Sequence, residues 1–82
     1  MSEYLKRWIA NGETVTTASL DALTEEGLSF AQERIGGKTV FSCSMGADQA
    51  EARSTSGQVA RGFALNSLRK KLGKRHGIEV VR

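Results

Sequence analysis

The stretch Gly57–Arg82, GQVARGFALNSLRKKLGKRHGIEVVR, limits the possible folds more than any other part of the chain. It carries seven basic residues (Arg61, Arg69, Lys70, Lys71, Lys74, Arg75 and Arg82) against one acid, Glu79, and is therefore +6. The first 56 residues are −3, and the whole chain is +3. Within the stretch Ala60, Ala64, Leu65, Leu68 and Leu72 recur at helical spacing, with Val59 and Phe63 at the edge of the stripe. One helix over residues 58–72 must therefore bury one face and carry its cations on another. Gly73 reads as its stop, Lys74-Arg75-His76-Gly77 as a basic turn, and Ile78–Arg82 as a closing strand with Ile78 and Val80 on one face. Charge gathered at one end of a small protein points to a negative partner. Cations at a helix C-terminus also favour the helix dipole, so a purely structural reading stands beside the binding one.

Eighty-two residues make one domain, 1–82, with a small core. Its composition, 39% hydrophobic and 26% charged, is that of a folded chain. One cysteine, Cys43, excludes an internal disulfide and fits a reducing cytoplasm, where it reads as a small buried apolar residue. One histidine, His76, and no Cys/His cluster leave no zinc site of the usual kind. No apolar run approaches the ~20 residues of a membrane span, and no signal-peptide core opens the chain. The expectation is a cytoplasmic protein with no membrane partner. With no proline in the chain, glycine has to mark the breaks.

In order, residues 2–11 read as an amphipathic helix: Tyr4, Leu5, Trp8 and Ile9 share a face, Ser2 caps the start and Asn11-Gly12 ends it. Glu13–Thr16 is a brief extended segment. A second helix follows, capped by Thr16 or Thr17, with Ala18, Leu20, Ala22 and Leu23 apolar and Asp21, Glu25 and Glu26 on an acidic outer face. Leu28–Ile35 is read as a further helical turn or two, because Leu28, Ala31 and Ile35 share a helical face. A continuous helix from Thr17 to Ile35 through Gly27 is the alternative. Lys38–Ser44 reads as a strand, and Met45–Ser56 as a loop or weak helix with no clear apolar face. The basic helix is expected to dock on Trp8, Leu20 and Leu23, and the closing strand to pair with Thr39–Cys43 or with Glu13–Thr16.

Helix, short strand, helix, intervening stretch, basic helix, basic turn and strand is the order of a winged helix with an insertion at residues 28–56. The expected fold class is α+β: a small winged-helix-like domain of three to four helices with a small antiparallel sheet. In such a domain the basic helix lies in the major groove. Arg61, Asn66 and Arg69 are of the types that read base edges, while Lys70, Lys71, Lys74 and Arg75 suit phosphates. The segment Leu68-Arg69-Lys70-Lys71-Leu72-Gly73, followed by Ile78-Glu79-Val80-Val81-Arg82, resembles the end of the winged-helix effector domains of two-component response regulators. The front, Leu5-Lys6-Arg7-Trp8-Ile9 with Gly12–Thr16 and Ser19–Leu23, resembles them too. Arg61-Gly62-Phe63 with Leu68 and Lys70–Gly73 is similar to a pattern in small bacterial winged-helix proteins. The likeness covers about half the chain. It departs where the chain has no wing ending and where residues 28–56 run longer than in either family.

Chemistry beyond binding is not legible. No paired carboxylates converge, and His76 sits in a basic turn. Gly36-Gly37-Lys38-Thr39 lacks the leading glycine of a phosphate loop and precedes a strand, not a helix. No catalytic residue, cofactor or metal is expected. Three readings follow: a double-stranded-DNA-binding regulator or architectural factor of a bacterial or mobile-element system, a module that engages a host protein, and an RNA-binding protein. The scarcity of clustered aromatics speaks against the last. A homodimer would use the edge of the last strand or the Met45–Ser56 segment.

Overall fold

A computed structural model describes residues 2–81. The elements run α1 (Glu3–Asn11), α2 (Thr17–Glu25), β1 (Leu28–Ile35), β2 (Lys38–Met45), β3 (Asp48–Ser54) and α3 (Gly57–His76). The fold is a small α+β domain of three helices and one antiparallel sheet of order β1-β2-β3.

The helices begin as their caps dictate. The Ser2 hydroxyl accepts from the Leu5 amide, and Thr16 and Ser19 exchange bonds as a capping box. The αL conformation of Gly12 (φ 67°) ends α1.

The intervening stretch is where expectation and structure part. Leu28–Ile35 is a strand, not helical turns. Gly36-Gly37, at φ 58° and 78°, form a two-residue hairpin loop that pairs Ile35 with Lys38. Both central residues at positive φ is what a type I′ turn needs. Met45–Ser56 is neither loop nor weak helix. Gly46-Ala47 turns the chain, with the glycine at φ 61° as the first central residue, and β3 follows. Residues 28–54 are thus one continuous meander.

Register sorts the sheet into two faces. Phe41 lies between Gln32 and Ala52, and Cys43 between Phe30 and Ala50. The inner face therefore carries Leu28 and Phe30 of β1, Phe41 and Cys43 of β2, and Ala50 and Ala52 of β3. Helix α3 packs across β2 and β3 on this face. Small residues line both sides of that packing: Ala60 and Ala64, fully buried, against the half-buried Ala50 and Ala52. Small side chains let a helix backbone approach a sheet, and this is why β3 shows no strong apolar pattern. The other side of α3 meets α1. Trp8, Ile9, Leu23, Leu68 and Leu72 join Phe41 in one core, which includes Leu20 as expected.

The C-terminal end also differs from expectation. Helix α3 does not stop at Gly73 but runs to His76, and Gly77 (φ 68°) is its left-handed cap. Gly73 is there for space: a Cβ at that position would overlap the Val80 side chain and come within 3.1 Å of the Ile78 carbonyl. Ile78–Val81 doubles back over α3 as irregular chain outside the sheet, and pairs with neither Thr39–Cys43 nor Glu13–Thr16. The Ile78 amide donates to Gly73, and the Val81 amide to Ala10 at the end of α1. Arg82, the last residue of the predicted strand, lies outside the described residues. All three strands precede α3, and among the described residues no hairpin follows it.

Candidate nucleic-acid interface

The seven residues expected to meet a partner all lie on α3, yet the fold gives them four different surroundings.

Arg69 is turned inward and is only 4% exposed. Its Nη1 donates to the carbonyls of Ile9 (3.3 Å) and Val81 (3.4 Å), and its Nε and Nη2 donate to Asn66 Oδ1 (3.2 and 2.6 Å). The Ile9 carbonyl belongs to the last turn of α1, where carbonyls lack helical partners and the helix dipole is negative. Among the described residues no carboxylate lies within salt-bridge distance of the guanidinium. The end of α1 faces it with the partial negative charge of the helix dipole. Burial lowers the pKa of Arg69 from its ordinary value, though an arginine keeps its proton at neutral pH. Arg69 and Asn66 thus form a joint between α1, α3 and the returning C-terminal segment. The expectation that Arg69 reads base edges is corrected, whereas Asn66 is exposed on α3 and lends only its Oδ1 to Arg69. Arg69 is buried, and its hydrogen bonds hold the fold together.

Lys71 and Arg75 tie α3 to the start of β3. Lys71 Nζ donates to the Gln49 carbonyl. Arg75 Nε lies 2.5 Å from Asp48 Oδ2, and Asp48 is the more buried partner. These two cations remain exposed on one side while one flank of each is occupied.

Lys70 and Lys74 are the free pair. They are exposed, stand one helical turn apart, and have no acid within salt-bridge distance among the described residues. His76 is exposed in the same last turn. Helical spacing puts Phe63, Ser67, Lys70 and Lys74 along one outward stripe. Phe63 is 62% and Val59 42% exposed, so the stripe is apolar at its N-terminal end and basic at its C-terminal end. Both had read as edges of the buried stripe, and position in the sequence alone gave no signal that they face out.

Arg61 lies half-buried at a groove of about 330 Å³ between α3 and the α1–α2 connection, with Trp8, Gln58, Asn66 and Arg69 among its walls. Glu13, also in that wall, pairs with Arg7 at 3.6 Å. Asp21, Glu25 and Glu26 are exposed on and beside α2 and make that surface acidic. Cys43 is buried under α3. Burial pushes its thiol up to about 11, against the opposing pull of the Lys71 charge.

Among the described residues no three His, Cys, Asp or Glu side chains are grouped to hold a metal ion, and no helix is long and apolar enough to cross a membrane. No protein family, curated protein or solved structure gives a significant match to the chain.

Proposed function

We propose that this protein binds double-stranded nucleic acid, DNA first, through the phosphate backbone and the C-terminal half of α3. The observation that carries the reading is the last two turns of that helix. Lys70, Lys71, Lys74, Arg75 and His76 are all exposed there, with Asp48 the one acid paired among them. Such a surface suits phosphates, which bind point charges on flexible stems with little geometric demand. Base readout needs arginine or asparagine forks free at the surface; Arg69 is buried, Asn66 has its Oδ1 engaged by Arg69, and Arg61 is half-buried at the groove. Binding is therefore tolerant of sequence, as in an architectural factor rather than a site-specific regulator. The winged-helix resemblance supports this reading only through α3, the element that corresponds to its DNA-facing helix. The wing would have to be supplied by the β-meander that precedes α3.

The test is a fluorescence-anisotropy titration of mixed-sequence duplexes at two salt concentrations. Three neutralised phosphates give a slope of about −2.7 in log K against log salt, so affinity falls roughly 40-fold between 50 and 200 mM. Binding that is absent at low salt, or insensitive to salt, would overturn the proposal. Single-stranded or structured RNA in direct competition gives the alternative outcome, with RNA retained and duplex DNA displaced.

A second reading has its own support. Val59 and Phe63 are exposed apolar residues next to the lysines, which suits an acidic protein surface with an apolar patch. Phe63→Ala separates the two: it leaves duplex binding within about twofold if phosphates dominate, and it abolishes capture of a protein partner.

A further inference from the structure

We propose that two copies of the chain pair edge to edge through β1, antiparallel, about a two-fold axis at Gln32. The two edges of the sheet differ in how they are protected, and nothing in this pairing depends on nucleic-acid binding. Strand β1 is hydrogen-bonded on one side only, to β2, and every residue after Leu28 is exposed. It is regular: all eight residues pair one-to-one with β2, so no bulge twists the edge away, and the chain has no proline to block it. Its arginine does not guard it. Arg34 bends back over its own hairpin, donating to the Gly37 carbonyl and to Thr39 Oγ1. The other edge is guarded. Lys71 engages the Gln49 carbonyl, and Arg53 pairs with Glu51 along β3. Edge lysines and charge pairs are devices that prevent strand addition, and an open, regular edge invites it.

A second copy suits this edge, and the free run sets the register. Leu28 is taken into the core, which leaves Ser29–Ile35 with Gln32 at its middle. Full antiparallel overlap then puts Gln32 opposite its own counterpart, Phe30 opposite Arg34 of the second copy, and Ser29 opposite Ile35 of the second copy. Phe30 and Ile35, 47% and 56% exposed, are both covered at the two ends of the interface. Phe30 meets the aliphatic stem of an arginine whose charged head is already engaged. Residues directly opposite share a face, so both α3 helices lie on one side of the joined sheet. One term opposes the dimer: Glu33 stands diagonal to its own counterpart on the outer face, about 7–8 Å away.

The experiment uses the full chain without nucleic acid. Sedimentation equilibrium is expected to show a reversible monomer–dimer equilibrium within the micromolar range. Glu33→Gln is expected to tighten it by about two- to fivefold by removing the like-charge diagonal. Gln32→Cys is expected to give a disulfide-linked dimer on mild oxidation. Cys43 is buried and does not compete, and Glu51→Cys on β3 is the control that stays monomeric. Gln32, Glu33 and Glu51 are exposed, so the variants test association and not folding. A chain that is monomeric at hundreds of micromolar overturns the proposal, as does a dimer that cross-links through Glu51→Cys and not through Gln32→Cys.

Discussion

Replacing Arg69 by methionine keeps much of the side chain's volume and removes its guanidinium. That leaves the carbonyls of Ile9 and Val81 and the Asn66 amide without the donors that now satisfy them. Hydrogen bonds from a charged donor contribute about 1.5–3 kcal/mol each, and a buried acceptor left unsatisfied costs about 1–3 kcal/mol. Water reaches the Val81 carbonyl more readily than the Ile9 carbonyl, which is the buried one. Taken together, the loss is about 3–4 kcal/mol. A domain of this length is stable by about 4–12 kcal/mol, so the variant stands near the edge of folding. Unfolding entropy of about 2.1 cal/mol/K per residue converts the loss into a fall in Tm of about 15–25 °C. Urea unfolding followed by far-ultraviolet circular dichroism and by the fluorescence of Trp8, which lies in the same core, gives the comparison. Lys70→Ala on the exposed stripe should stay within about 0.5 kcal/mol of wild type. If Arg69→Met were equally harmless, Arg69 would not be the joint described here.

Other consequences are as specific. Gly62→Ala, which meets nothing within 4 Å in α3, should stabilise the chain by about 0.5–1 kcal/mol, while Gly73→Ala should destabilise it because its Cβ displaces Val80; chemical denaturation reads both signs. Gly12→Ala combines a left-handed φ with a Cβ 3.2 Å from the Arg69 guanidinium carbon, and should cost more than about 1 kcal/mol in the same assay. The Cys43 thiol, raised from 9.0 to about 11, should react with a disulfide reagent only on unfolding. Its folded pKa is the higher one, so its contribution of about 2–3 kcal/mol is full below pH 9 and is lost as pH rises through 11. Cys43→Ala should flatten stability against pH in that window.

Local signals in the sequence were sound wherever one residue decides the conformation. Ser2, Thr16 and Gly12 mark helix ends because caps are chemistry within a few residues. The apolar stripe of α3 and the core roles of Trp8, Leu20 and Leu23 are legible because burial follows periodicity. Leu28, Ala31 and Ile35 also satisfy a helical spacing, and that coincidence hid β1. The stronger signal was Gly36-Gly37, a hairpin loop between two runs of equal length. Strand β3 was hidden because α3 lies on it through alanines, and close packing of small residues has no hydrophobic signature. Gly73 was read as a stop because its reason for being glycine, Val80, comes from a chain reversal seven residues on. The candidate site was half legible for the same reason. That lysines at 70 and 74 are free follows from their position on the outer face. That Arg69 is spent on α1 depends on a partner sixty residues away.

The basic third of the chain is divided between fold and partner, and salt-dependent duplex binding by Lys70→Ala/Lys74→Ala tests that division most directly. Each phosphate that is no longer neutralised takes about 0.9 from the slope of log K against log salt. The double variant is expected to fold with wild-type stability, to bind duplex far more weakly at low salt, and to show a slope smaller by about 1.8 than wild type. An unchanged slope and affinity in the correctly folded variant would contradict the claim that this face meets phosphates.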